Sequence, residues 1–307
     1  MLVLRTPPLP FNLDYHSITM ARRIDAHHHL WRYSPEEYGW IGNSMTALQR
    51  DYTAADLSPA MAAAKIDGTI AVQARQTIDE THSLLALAQS HPFIEAVVGW
   101  APIASADFPS CLDSLASRPA LKGLRHVVQD EPDDDFILRR DFNRGIDALR
   151  SSELVYEILI YERHLPHATK FVDAHPDQVF VLDHIAKPRI RERILSPWRE
   201  QIHELARREN VFCKVSGMVT EADWRLWTES ELLPYLDTVF EAFGPARLMM
   251  GSDWPVCLLA SEYAQWFDLL DRYAEKLTEQ ERHQFCGETA VRVYRLNTEN
   301  TQGTPQT

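Results

Sequence analysis

The first segment that could do chemistry is Asp25-Ala26-His27-His28-His29-Leu30-Trp31. Side chains alternate between faces along a strand, so His27 and His29 point together while His28 points away. Two imidazoles at that spacing can converge on one metal ion or one substrate oxygen. A chance histidine cluster or a surface tract would carry the same letters, so the motif needs partners. Val181-Leu182-Asp183-His184-Ile185-Ala186-Lys187-Pro188 offers one: if that strand stays regular, only one of Asp183 and His184 faces inward. Met249-Met250-Gly251-Ser252-Asp253-Trp254-Pro255 offers another, an apolar run that ends on a carboxylate, with Pro255 cutting off the strand. Asp253 could be a helix N-cap on its own, but a carboxylate facing two histidines carries more meaning.

Elements able to position these groups recur along the chain. Short apolar, β-branched runs occupy 23–29, 68–74, 96–101, 121–128, 156–161, 179–185, 211–217 and 247–253. Segments of helical periodicity separate most of them, at 56–64, 80–88, 139–150, 164–174, 198–208 and 231–243, and one follows at 260–275. Near-continuously apolar strands alternating with helices predict a parallel sheet covered by helices, and eight repeats predict a single (β/α)8 TIM barrel. An open doubly wound sheet is the alternative, but no GxGxxG follows the first strand. Polar residues gather at the strand ends: Gln73 and Arg75, Arg125 and His126, Tyr161, Asp183 and His184, Lys214 and Ser216, Ser252 and Asp253. In a barrel those ends meet at one mouth, where such enzymes carry their chemistry.

Composition narrows the partners. The 307 residues carry 31 basic and 44 acidic side chains, a net charge of −13, with no basic stripe for nucleic acid. The same field gives a highly anionic substrate no long-range attraction and leaves a neutral polyol indifferent. No apolar stretch approaches the roughly 18 residues of a membrane span. Cys111, Cys213, Cys257 and Cys286 have no framework or zinc spacing and read as reduced thiols, and the chain reads as cytoplasmic. Met20 directly precedes the first strand, so residues 1–19 read as an N-terminal extension, 20–297 as the barrel domain and 298–307 as a flexible tail. An oligomer is not readable from sequence.

The spans 24–31, 121–130, 181–188, 212–217 and 249–255 together resemble the amidohydrolase superfamily. The likeness is to its lactonase branch, which contains L-fuconolactonases, L-rhamnonolactonases and pyrone-dicarboxylate lactonases. It runs from about Arg23 to Leu296 and includes Tyr38-Gly39-Trp40-Ile41 and Gly123-Leu124-Arg125. The resemblance implies that His27 and His29 are the paired first-strand histidines, His184 the sixth-strand histidine and Asp253 the eighth-strand aspartate. In the superfamily these positions hold one or two divalent ions. Here the fourth strand offers no lysine for carboxylation, the fifth no histidine, and Lys214 lies on the wrong strand for a bridge. At most one ion, zinc by preference, is therefore expected on His27, His29, His184 and Asp253, and the lactonase branch includes members that need no tightly bound metal.

The reaction so implied is hydrolytic opening of a small-molecule sugar lactone. Asp253 would take a proton from the attacking water, and the histidines would meet the developing oxyanion directly or through a metal. Substrate hydroxyls would find Gln73, Arg75, Arg125, His126 and Tyr161, and the tryptophans Trp31, Trp40 and Trp254 would pack on the sugar's C–H face. Two other readings share these residues: a metal-dependent decarboxylase of the same superfamily, and a non-catalytic sugar-acid-binding barrel.

Overall fold

The computed structural model describes residues 22–297; the extension expected at 1–19 and the tail expected at 298–307 lie outside them. Eight strands form one sheet in sequential order: β1 (Ile24–His28), β2 (Gly68–Val72), β3 (Ile94–Gly99), β4 (Leu121–Val127), β5 (Val155–Leu159), β6 (Phe180–Leu182), β7 (Val211–Val215) and β8 (Leu248–Met250). Each neighbouring pair is parallel. The first and last strands join past the end of β8, where the Asp253 amide donates to the His27 carbonyl at 2.8 Å and the His29 amide to the Trp254 carbonyl at 2.6 Å. The sheet is thus closed into the expected (β/α)8 barrel.

Eight helices pack outside, seven joining successive strands and the last following β8: α1 (Ala54–Ala63), α2 (Ile78–Ser90), α3 (Phe108–Ala116), α4 (Arg140–Leu149), α5 (Leu165–Ala174), α6 (Trp198–Ala206), α7 (Glu229–Phe243) and α8 (Tyr263–Ala274). Among them α3 lies where the sequence reading marks no helix. Pro109 in its first turn and only nine residues of length leave a weak periodic signal. No helix among the described residues is long and apolar enough to cross a membrane.

Two strands are shorter than their apolar runs. β6 stops at Leu182 because His184, Ile185, Ala186 and Lys187 all adopt left-handed backbone, with φ of 51°, 50°, 60° and 46°. β8 stops at Met250 because Asp25 draws Ser252 aside: its carboxylate accepts from the Ser252 amide at 2.8 Å and hydroxyl at 2.7 Å. In both places the chain turns into the barrel mouth instead of continuing the ladder.

The lower barrel interior is apolar. Ile24, Ala26, Ile70, Val72, Ala96, Val98, Val155, Val181, Phe212 and Met249 meet there and pack against Ala290, Val293, Tyr294 and Leu296 of the C-terminal segment. Full burial of the Val, Leu, Ile, Phe and Met side chains among these contributes on the order of 1.5–3 kcal/mol each. Ile24 and Ala26 face this interior, so a regular strand would turn His27 and His29 outward. A one-residue bulge prevents this: Asp25 pairs with Thr69 but His28 pairs with Ala71. The bulge resets the phase, sending both histidines inward while His28 bonds the Thr69 hydroxyl at 2.9 Å.

Candidate active site

At the mouth, the nitrogens and oxygens of β1, β6 and the segment after β8 converge. His27 Nε2 lies 3.2 Å from His29 Nε2. Asp253 Oδ1 stands 3.3 Å from His29 Nε2, 3.8 Å from His27 Nε2 and 3.9 Å from His184 Nε2. All four side chains are buried. The sequence allowed one of Asp183 and His184 to face inward; the left-handed turn after β6 brings in both. His184 Nδ1 meets Ser216 Oγ at 2.9 Å, while Asp183 reaches below to the other strands. Gly217 permits this approach, since a Cβ there would lie 2.7 Å from His184 Nδ1, and its φ of 62° favours glycine.

Beneath the histidines lies a buried charged layer. Asp183 Oδ2 accepts from Arg125 Nη1 at 2.9 Å, and Asp183 Oδ1 is 3.3 Å from Lys214 Nζ. Lys214 donates to Glu157 Oε1 at 2.6 Å, and Tyr294 closes the layer from below by donating to the same oxygen. Two cations thus balance two carboxylates, the condition under which buried charges are tolerated. Sequence reading misses Glu157 as a site residue and discounts Lys214. The available signal was a single charge inside each of two fully buried strands, Val155–Leu159 and Val211–Val215.

These surroundings set the protonation states. Burial would raise Asp253, but the facing His184 and His29 and the nearby Lys187 outweigh it and hold its carboxyl below the ordinary value of 3.8. Burial, with Lys214 adding to it, holds His27 well below the usual imidazole range. Burial takes His184 down to about 4 against the pull of Asp253 and Asp183. Burial and the Asp183 charge push Glu157 up to about 7. At neutral pH the mouth therefore holds a carboxylate, Asp253, against neutral His27 and His184.

A cleft of about 110 Å³ opens onto this group. His29, Arg125, His184 and Asp253 line it together with Trp40, Gln129, Asp130 and Lys187, and Ala74, Leu159 and Val256 add apolar surface. Other residues singled out from sequence sit around it without lining it. Trp31 donates its indole N–H to the Arg50 carbonyl at 2.9 Å, and Trp254 packs edge-on against Tyr52. The Gln73 side chain is buried, and the Gln73 backbone carbonyl accepts from Arg125 Nη2. Arg75 pairs with Glu37 at 2.5 Å and lines a neighbouring cavity of about 680 Å³ beside α2. His126 accepts from Trp100 Nε1 at 3.3 Å and bonds Glu131 at 2.6 Å, bracing the turn that carries Gln129 and Asp130. Tyr161 stacks beneath Arg163 and Lys187.

The donor set suits a divalent cation. Atoms bound at about 2.0–2.1 Å to a tetrahedral ion stand roughly 3.3 Å apart. His27, His29 and Asp253 offer atoms at 3.2, 3.3 and 3.8 Å from one another. The His29 Nδ1 contact with the Val72 carbonyl at 2.8 Å supplies the outer partner that aims Nε2 inward. The four cysteines, all unpaired, take no part.

A closed β/α barrel with an imidazole pair on its first strand and a carboxylate after its eighth defines a hydrolase-type mouth, and the chain belongs to the amidohydrolase family, whose profile matches residues 24–296. It is 43% identical over 289 residues to an L-fucono-1,5-lactonase of Burkholderia multivorans, covering 90% of this chain and 97% of that protein. It is 35% identical to an L-fucono-1,5-lactonase of Burkholderia ambifaria, covering 91% and 97%. A crystal structure of a Burkholderia multivorans amidohydrolase with bound zinc superposes with a TM-score of 0.87 at 43% identity, over 90% of this chain and 100% of that one.

Proposed function

We propose that the protein is a lactonase that opens a neutral aldonolactone of the L-fuconolactone type to its sugar acid. The observation that carries this reading is Asp253: a buried carboxylate, held ionised, within 3.9 Å of three imidazole nitrogens and open to a cleft. Asp253 Oδ1 takes a proton from water as the water attacks the lactone carbonyl carbon. His27 and His184 turn their Nε2 atoms toward the side where the carbonyl oxygen sits, and an N–H donor there stabilises the charge that develops. The ring C–O bond then breaks, and the proton on Asp253 passes to the leaving alkoxide. A single divalent ion, zinc by preference, would be held by His27, His29 and Asp253 with His184 beside it, and would supply Lewis-acid polarisation of the carbonyl.

Charge supports a neutral substrate. Of the ionic groups lining the cleft, Arg125 is already paired with Asp183 beneath it, which leaves Lys187 with two carboxylates, Asp130 and Asp253. Arg75, which could have clamped a substrate carboxylate, is instead engaged by Glu37 outside the cleft. Asp130 and Gln129 suit ring hydroxyls, and Trp40 with Leu159 and Val256 suits a C–H face or methyl group. The test is a panel of 1,4- and 1,5-aldonolactones assayed by proton release with and without chelator. Rapid opening of a deoxysugar lactone is expected. Release of carbon dioxide from an aromatic acid, with no lactone turnover, would replace hydrolysis by decarboxylation.

A further inference from the structure

Lys214 is fully buried, and the hydrolytic steps do not use it. An ammonium has three N–H donors and no acceptor. Three acceptor atoms surround this one: Glu157 Oε1 at 2.6 Å, Asp183 Oδ1 at 3.3 Å and His27 Nδ1 at 3.2 Å. We propose that Lys214 is a positioning residue that fixes the tautomer of His27, keeping Nδ1 free of hydrogen and placing the ring's proton on Nε2, toward the cleft.

His29 gives independent support. Its Nδ1 faces only the Val72 carbonyl, which accepts and cannot donate, so neutral His29 carries its proton on Nδ1 and turns a lone pair inward at Nε2. That lone pair meets His27 Nε2 at 3.2 Å. Donors then run in one direction, from Lys214 through His27 and His29 to the Val72 carbonyl. The opposite tautomer would set the Lys214 ammonium against an N–H at 3.2 Å and two lone pairs against each other at 3.2 Å. In return it gains a 3.4 Å contact from His27 Nδ1 to Asp183 Oδ1 and a 3.3 Å contact from Arg125 Nη1 to His27 Nε2. Arg125 Nη1 already has a closer acceptor in Asp183 Oδ2 at 2.9 Å.

The arrangement sets two uses of His27 against each other. With hydrogen on Nε2 the ring donates to His29 Nε2 at 3.2 Å and turns that hydrogen to a carbonyl oxygen only by giving up this bond, a use that rests on the lactonase reading. A cation at Nε2 needs the lone pair there, so its binding requires the proton to move to Nδ1, where Asp183 Oδ1 would accept it and Lys214 would lose a partner. Lys214 therefore favours direct hydrogen-bond donation and weakens cation binding.

The test is a long-range proton–nitrogen correlation spectrum of the chelator-treated full-length protein labelled at histidine, with His27 assigned by comparison with His27→Gln. The Nε2–H pattern is expected in the wild type, and the Nδ1–H pattern there would overturn the proposal. In Lys214→Met the His27 signal is expected to switch to the Nδ1–H form. The zinc dissociation constant should fall at least about tenfold as a neighbouring unit charge is removed. A folded Lys214→Met that keeps the Nε2–H pattern would also overturn it; if that variant does not fold, the wild-type spectrum decides alone. Lactone turnover measured on the same sample separates the two ideas, since its absence removes the lactonase reading and leaves the tautomer result standing.

Discussion

Asp253 has a left-handed backbone, φ 57°, and in that conformation its Oδ1 stands 3.3 Å from His29 Nε2. A non-glycine residue holds such a conformation only where its surroundings fix it. Here the Asp253 amide is tied to the His27 carbonyl at 2.8 Å, and its own carbonyl accepts from the Cys257 amide at 2.9 Å. Replacement by asparagine preserves these backbone bonds and the side-chain shape but removes the proton acceptor. We expect Asp253→Asn to fold normally, with an unchanged melting temperature, and to lose about 10²–10⁴-fold in kcat. Activity near that of the wild type would take Asp253 out of the mechanism.

The acid limb of the rate profile distinguishes this base from a histidine. The Asp253 carboxyl is held below 3.8 in the fold, so its ionised form is lost only as pH falls through that lowered value. His184 stays neutral down to about 4. We therefore expect Asp253 and His184 to impose no loss of kcat/KM above about pH 4 and a decline below it, with any inflection near 7 reporting the buried Glu157. Brief acid exposure before return to neutral pH checks that the decline is reversible. An acid limb near 6.5, the ordinary imidazole value, that persists in Glu157→Gln would point to a histidine base instead.

Gly217 couples fold to site at one atom. A methyl group there would lie 2.7 Å from His184 Nδ1, and the φ of 62° is unfavourable for any side chain. Gly217→Ala is expected to cost roughly 1–3 kcal/mol of stability through strain. It should also lower kcat/KM more than KM changes, because His184 must shift. Thermal unfolding and steady-state kinetics on one preparation test both, and a variant with normal activity would show that the position of His184 is not critical.

Much of this arrangement is legible in the sequence because barrel strands are apolar and their ends are not. His27, His29, His184, Asp253 and Arg125 all stand where an apolar run gives way to polar residues, and the fold brings them together. Strand parity was a weaker guide. It pairs His27 with His29, yet only the bulge at Asp25–His28 turns that pair inward, and no residue type announces a bulge. Parity also forbids the joint entry of Asp183 and His184, which a run of four left-handed residues, none of them glycine, allows. Glu157 was obscured because its partners Lys214 and Tyr294 lie 57 and 137 residues away. Arg75 and Trp31 satisfy the strand-end rule but are drawn to Glu37 and Tyr38 of the loop after β1.

Metal stoichiometry follows from the donor set. The two His/Asp groups able to hold an ion among the described residues, His27–His29–Asp253 and His27–Asp183–His184, share His27. Asp183 is also committed to Arg125 at 2.9 Å. We expect zinc titration to saturate at one ion per chain by elemental analysis, and His29→Ala to weaken it strongly. Anomalous scattering from two ions about 3.5–4 Å apart would defeat this expectation.

Substrate choice tests the balance of charge in the cleft. The protein should prefer a neutral deoxysugar lactone to a dicarboxylated pyrone, because its net charge of −13 gives a dianion no steering and its cleft cations are matched by carboxylates. Lys187 is the residue on which this turns: its left-handed backbone, φ 46°, sets it on the cleft wall opposite no paired carboxylate closer than 4 Å among the described residues. It could serve a ring hydroxyl or a substrate carboxylate equally well by chemistry. Lys187→Met separates these roles. If the substrate is neutral, the variant should lose roughly 10–150-fold in kcat/KM, the worth of one hydrogen bond between a charged donor and a neutral acceptor at about 1.5–3 kcal/mol. If a carboxylate is bound there, the loss should be far greater and should be concentrated in KM. The ratio of kcat/KM for the lactone and the pyrone dicarboxylate then measures differential transition-state stabilisation directly. A larger value for the dicarboxylate, together with a steep loss in Lys187→Met, would recast Arg125 and Lys187 as carboxylate clamps and replace the neutral aldonolactone by an anionic ring.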